Sequence, residues 1–454
     1  MLPIYLGVFL LSMAGLAFEI TLTRVFSVAQ WYHFAFMSVS IALLGFGISG
    51  SFLSLFPGLA RRDTARFLAI LSALFALGVV GSYLTINYIP FDSYRIAWER
   101  RQLLYLSIYY LSLTVPFFCS GLAVGVLLAI RPDLAATVYA FNLAGSALGC
   151  LTAVAALPPL GGAGTVMLTA LLGALAAAIF GLRSLVSGTR HLASSILYLL
   201  FLSVLVFFTF KTPTFLEIRM SPYKGLSSAL RYPGARVTFS RWNAFSRVDV
   251  VESKATHSAP GISLAYLELP PPQLALFTDG GNLSPITEVG SENEMAAMEF
   301  IDYLPVALPY HLRPGAKAMI IEPKGGLDVL VALHEGAASV VAVEDNPLVI
   351  EAVRDRFGDL AGHLYRDPRV RVVAENGRSY VRRSDERFDL VHISLADTFK
   401  PVISGAYSLS ENYLYTREAL VDYLAHLEED GLLVMSRWLQ LPPSESLRTW
   451  ALAV

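Results

Sequence analysis

Glycines and a carboxylate set between two apolar runs can hold a nucleoside, and one stretch of this 454-residue chain has that spacing. In the segment Ala318 to Asn346, Met319-Ile320-Ile321 is a short apolar run suited to a strand buried on both faces. Glu322, Pro323, Lys324, Gly325 and Gly326 follow, and then Leu327 to His334 at helical spacing. Gly336 closes that helix, and Ser339 to Val343 forms a second run ending on Glu344 and Asp345. Glycines let backbone approach a ligand, and a carboxylate about twenty residues further on can accept hydrogen bonds from ribose hydroxyls. The spacing lacks a full G-x-G-x-x-G.

Those residues need a parallel sheet to bring them together. Val370 to Val373, Phe388 to Ile393 and Leu432 to Met435 are further apolar runs, each preceded by a helix or turn pattern. Strands alternating with helices predict an α/β, Rossmann-like, doubly wound sheet, with its ligand at the carboxyl ends of the strands. Three polar groups fall at such ends: Glu344, the triplet Glu375-Asn376-Gly377, and the segment from Ser394 to Asp397. Their convergence predicts a site.

The rest of the chain divides by composition. Hydrophobic residues make up 55% and charged residues 15%, and the apolar excess lies before about residue 210. Apolar segments of membrane-crossing length fall at 3–29, 34–56, 67–89, 103–130, 135–157, 163–182 and 194–210. The expectation is an N-terminal α-helical bundle of about seven spans over residues 1–211. A connector and small β-rich lead-in domain follow over 212–290, and the nucleoside-binding domain occupies 291–454. Gly121-x-x-x-Gly125 and Gly145-x-x-x-Gly149 let helices approach closely. Glu19 and Asn142 lie inside spans, where polar groups are costly and mark a candidate membrane site.

A net charge of −2 with no basic stripe argues against nucleic acid as a partner. Cys119 and Cys150 both lie in apolar segments, so neither a disulfide framework nor a metal site is expected. Lysines and arginines near the spans nearly balance, so charge does not orient the bundle. A nucleoside-using domain belongs where its cofactor is made, which places it on the cytoplasmic face of an inner or plasma membrane.

From about Thr238 onward the residues resemble the spermidine/spermine synthase family, the polyamine aminopropyltransferases. The whole chain is similar to membrane-fused, spermidine-synthase-like bacterial proteins. The resemblance rests on Ala14 to Arg24, Leu143 to Gly149, Gly325 to Leu330, and the run Ala406-Tyr407-Ser408-Leu409-Ser410-Glu411-Asn412-Tyr413-Leu414-Tyr415-Thr416. It implies S-adenosylmethionine or its decarboxylated form as cofactor, Glu344 on the ribose, and Asn376 where the family places an adenine-contacting Asp. It also implies substrate-binding roles for Asp279, followed by Gly280, and for Glu299. Tyr413 and Tyr415 can wall the acceptor pocket.

The sequence departs from the family at informative places. Glu322 and Lys324 stand in the glycine loop, and Ala297 and Met298 replace the Tyr and His of the polyamine motif. Ser394 occupies the position of the first Asp in Asp-x-x-Asp, and Asp397 is the second. A serine hydroxyl is a poor general base, which leaves Asp397 to take the proton or to hold the substrate ammonium. The chain stops soon after Leu432–Met435, as a short variant or a fragment would, and members of this branch run longer, which favours a C-terminal truncation. The expected function is a membrane-anchored transferase moving an aminopropyl or methyl group to an amine or lipophilic acceptor. The alternative is a non-catalytic carrier or sensor that works through Glu19 and Asn142.

Overall fold

The computed structural model describes residues 2–30, 34–58, 64–185, 192–290, 295, 298–395, 413–437 and 443–453. The chain divides into two compact units, one of residues 1–221 with 242–245, the other of residues 222–241 with 246–454.

The first unit is helical: α1 (Leu2–Ala29), α2 (Ala35–Leu55), α3 (Thr64–Tyr88), α4 (Arg101–Ile130), α5 (Ala135–Leu185) and α6 (Leu192–Phe210). These helices are apolar on every side. Inward faces bury Phe18, Phe26, Phe75 and Phe117, while Leu111, Leu151 and Leu199 stay more than half exposed. A helix apolar all round needs lipid or protein on every face. Among the described residues, five helices are long and apolar enough to cross a membrane, in place of the seven spans expected. The expected segments 135–157 and 163–182 fall on the single helix α5, and 194–210 falls on the shorter α6.

α5 is interrupted at Gly161, whose φ of 66° follows Pro158 and Pro159. Gly145, before the break, faces Phe9, and Phe180, after it, faces Gly7. Both arms of α5 therefore lie along the same stretch of α1, and the helix doubles back at Gly161. A Cβ at Gly145 would strike the carbonyl oxygen of Phe9, and one at Gly149 would lie 2.5 Å from that of Met13. Ser12 Oγ donates to Asn142 Oδ1 at 2.7 Å, so Asn142 ties α5 to α1. Glu19, half-buried in α1, forms no ion pair among the described residues. Gly145→Ala is expected to destabilise this unit by about 2 kcal/mol, because helix backbone cannot yield. Gly47→Ala, at a position with open space around it, should be neutral. Thermal unfolding of the two purified variants checks both.

The second unit contains two sheets. The lead-in sheet has strands β1 (Arg236–Trp242), β2 (Arg247–Glu252), β3 (Gln273–Thr278) and β4 (Ser284–Thr287) in sequential order, with β2–β3 and β3–β4 antiparallel. The second is five-stranded: β5 (Lys317–Ile321), β6 (Ser339–Val343), β7 (Val370–Val373), β8 (Phe388–Ile393) and β9 (Leu427–Met435). Its order is β7-β6-β5-β8-β9, and every neighbouring pair is parallel. Ala318 to Ile321 are fully buried, as a central parallel strand requires. The chain winds outward from β5 through β6 to β7, then returns to β8 on the other side. The crevice between the ends of β5 and β8 is thus the topological switch point, where ligands bind in this class of sheet.

Candidate functional site

The loop leaving β5 takes an unusual backbone path. Glu322 and Lys324 have φ of 57° and 49°, a left-handed region sparsely used outside glycine, and Gly326 has φ of 93°. Four hydrogen bonds over-determine that path. Glu322 N–H donates to Val343 O at 2.8 Å, and Gly326 N–H to Pro323 O at 2.9 Å. Gly325 N–H donates to Ser284 Oγ of β4 at 2.9 Å, and Tyr365 O–H to Lys324 O at 3.2 Å.

Glu344, at the end of β6, is fully enclosed. Its Oε2 accepts Lys324 N–H at 3.1 Å and its Oε1 accepts Asn346 N–H at 3.1 Å. The Lys324 ammonium lies 3.7 Å from Glu344 Oε1 and 3.1 Å from Glu322 Oε2. Burial pushes the Glu344 carboxyl up to about 7; the lysine opposes that shift, and Glu322 and Asp345 add to it. For Lys324 burial alone would lower the pKa, but Glu322, Glu344 and Asp345 together raise it, so the ammonium stays charged. Glu344 therefore holds the glycine loop, and Asp345 beside it is half-buried.

A cavity of roughly 590 Å³ opens over this loop. Its polar wall includes Glu322, Lys324, Asp328, Ser394, Ser436 and Arg437, and Leu304, Leu327 and Met435 are among its apolar side chains. Ser394 N–H donates to Ile321 O at 3.1 Å, which fixes the end of β8 beside β5. Its hydroxyl is buried and has no hydrogen-bond partner among the described residues. Ser436 Oγ lies 3.4 Å from His392 Nε2, and burial lowers that imidazole's pKa although Asp328 opposes the shift. His392 is therefore neutral at pH 7. The Arg437 guanidinium stacks over the Tyr415 ring at 4.0 Å.

Of the residues expected at the site, Glu322, Lys324 and Ser394 line the cavity, with Gly325 and Gly326 in the loop beneath it. Others lie elsewhere. Glu344 does not reach the cavity, because its oxygens face the loop backbone. Asn376 Oδ1 caps the helix Gly377–Arg383, accepting from Arg378 N–H at 3.1 Å and Ser379 N–H at 3.3 Å. A Cβ at Gly377 would strike the Ile321 side chain, so that glycine serves packing against β5. Asp279 and Gly280, with φ of 50° and 62°, form a tight turn closed by Gly281 N–H on Thr278 O at 2.9 Å. The Asp279 carboxylate accepts Arg247 N–H at 2.8 Å. Glu299 borders a different cavity, beside Glu268 and Glu288. Tyr413 is largely exposed, and Asp397 lies outside the described residues. Asp328, His392, Ser436 and Arg437 carry no expected role in the sequence pattern. Asp328 follows the glycines by two positions, a signal that was readable; the others come from strand ends distant in sequence.

Part of the chain is similar to known proteins. Residues 270–442 match the spermine/spermidine synthase domain family. The synthase-like domain is similar to the polyamine aminopropyltransferase of Buchnera aphidicola, at 22% identity over 153 residues, covering 34% of this chain and 52% of that protein. The Alkaliphilus oremlandii enzyme of the same name is 25% identical over 198 residues, covering 43% and 57%. The Thermoplasma volcanium one is 33% identical over 104 residues, covering 22% and 37%. The chain spans about half the length of the first two of these relatives. Among solved structures, the spermidine synthase of Thermotoga maritima aligns with a TM-score of 0.34 and 22% identity, over 48% of this chain and 63% of that one. A spermidine synthase bound to the transition state analogue AdoDATO aligns at a TM-score of 0.33 and 22% identity, over 48% and 62%.

Proposed function

We propose that this chain is a membrane-anchored, spermidine-synthase-like transferase whose donor is S-adenosylmethionine or, preferentially, its decarboxylated form. The observation that carries the reading is the 590 Å³ cavity over the glycine loop, bordered by the buried, partnerless hydroxyl of Ser394. The family match to residues 270–442 supports the same class of reaction. The preference between donors follows from charge. Lys324 is already held by Glu322 and Glu344, so it has little charge left for a donor carboxylate. Asp328, on the wall of the same cavity, remains to favour the ammonium tail of the decarboxylated donor.

In this reaction an amine nitrogen attacks the carbon next to the sulfonium. A C–N bond forms, the C–S bond breaks with its electron pair going to sulfur, and methylthioadenosine leaves as a neutral thioether. The remaining task is removal of one proton from the attacking amine, which this reading gives to Asp397. Positioning by the rigid loop supplies much of the rate. The synthase-like domain faces the cytoplasm, where such donors are made; protease accessibility in right-side-out vesicles tests that orientation.

The activity test uses the full chain in detergent with a diamine and each donor, and follows by mass spectrometry the release of methylthioadenosine, the product of propyl-group transfer, and of S-adenosylhomocysteine, the product of methyl transfer. Methylthioadenosine release from the decarboxylated donor, exceeding turnover of S-adenosylmethionine to either product, is the expected result; neither product from either donor would sink the reading. Ser394→Asp restores a carboxylate where the family carries its base, and should raise the rate by about tenfold or more. A fall in rate for Ser394→Asp, with folding intact, would show that the proton leaves by another route.

A further inference from the structure

At the far end of the helix Leu327–His334 from the glycine loop lies a cluster that the transferase reading does not use. We infer that His334 and Glu335, with Asp302 and His311, bind a tetrahedral transition-metal ion of the zinc(II) kind. Asp302, His334 and Glu335 each place a donor atom within 4.8 Å of the other two. His311 Nδ1 lies 3.4 Å from Glu335 Oε2, and His334 Nδ1 lies 3.7 Å from Glu335 Oε1. Zinc bonds of about 2.0–2.2 Å put tetrahedral ligand atoms about 3.3–3.6 Å apart. The 3.4 and 3.7 Å separations are close to that, Asp302 must close in from within 4.8 Å, and His311, which stands outside that trio beside Glu335, must turn toward the ion to complete the set.

The second observation is unmet hydrogen bonding. The Glu335 side chain is only 7% exposed, yet its Oε1 has no hydrogen-bond partner among the described residues. His334 Nδ1 is buried and partnerless in the same way. A distance of 3.7 Å is too long for these two to satisfy each other by a hydrogen bond. An enclosed carboxylate left so is costly, and a cation between the two removes the cost. The helix C-terminus also favours positive charge. A donor set of two imidazoles and two carboxylates suits zinc(II) or cobalt(II) better than magnesium. Cysteine placement predicts no metal site, and this donor set contains no cysteine. None of the four residues borders the cavity over the glycine loop. The ion would tie the segment holding Asp302 and His311 to the end of the helix that starts at the loop.

The test titrates chelator-stripped full-length protein in detergent with zinc(II), and separately with cobalt(II). One zinc ion per chain is expected, with the intense visible absorption of tetrahedral cobalt(II). His311 is 54% exposed, so His311→Ala should fold normally and weaken zinc binding at least tenfold. His334→Ala should abolish it. No binding by the folded wild-type chain, or stoichiometric binding unchanged in His311→Ala and His334→Ala, would overturn the proposal. Donor titration of the same samples keeps this outcome separate from that of the transferase reading.

Discussion

Replacing Glu344 with alanine should weaken donor binding about a hundredfold and cost the synthase-like domain about 3 kcal/mol of stability. The stability loss follows from removing one partner of an enclosed pair. Lys324 would keep only Glu322, and the N–H groups of Lys324 and Asn346 would lose their acceptor. The binding loss follows from the loop, because Lys324 holds φ of 49° only while its neighbours fix it. Chemical unfolding and donor titration of Glu344→Ala, each beside wild type, measure the two effects.

Protonation gives the same residue a second, pH-dependent signature. The Glu344 carboxyl is raised from 4.5 to about 7 in the folded chain. Between those values the folded state holds a proton at Glu344 that the unfolded state has released. The ligand-free protein therefore loses stability as pH rises through that window, by up to about 1.4 kcal/mol per unit. Donor affinity should move the opposite way, rising as pH passes about 7, because an ionised carboxylate holds the loop N–H groups more strongly. Glu344→Gln should flatten both profiles. A pH profile of binding left unchanged in Glu344→Gln would assign the titration to another group.

Gly325→Ala should be nearly as damaging, by a different route. A Cβ there would strike the carbonyl oxygen of Pro285, with the Pro285 carbonyl carbon at 2.7 Å and that of Ser284 at 3.1 Å. These are backbone atoms of β4, held in register with β3 through Ala275 opposite Pro285. They cannot move aside cheaply, so the loop must, at a cost of about 1–3 kcal/mol. Moving it also breaks the Gly325 N–H bond to Ser284 Oγ at the cavity wall. Gly336→Ala is the control. Its φ of 76° penalises alanine, but open space surrounds it and it is remote from the cavity. Both variants should lose stability, and only Gly325→Ala should lose donor binding by tenfold or more.

The two cases show which parts of the site were legible in the sequence. The buried strands β5 and β6 announced themselves as continuous apolar runs, because parallel strands are covered on both faces, while β8 reads as an apolar run broken by Asp389 and His392. Glu344 was readable as a carboxylate at a strand end. Its enclosure was not, since that depends on a left-handed Lys324, which no local pattern signals. Asn376 before a helix and Asp279-Gly280 after a strand carried cap and turn signals, and the structure uses both residues that way. Their local roles were therefore as legible as the family roles. In the bundle, hydropathy marked the apolar segments. The gap between the expected segments 135–157 and 163–182 brackets the break at Gly161, but hydropathy could not reveal that both arms lie against α1. The cavity depends on Ser284, Leu304, Ser394 and Ser436, which come from four separate stretches of chain. Only the fold brings them together.

The most direct test of the central claim is calorimetric titration of the full-length chain in detergent with decarboxylated S-adenosylmethionine, S-adenosylmethionine and methylthioadenosine. The account predicts binding of one donor per chain, tightest for the decarboxylated form and lost or weakened about a hundredfold in Glu344→Ala. A folded wild-type chain that binds none of the three would contradict it.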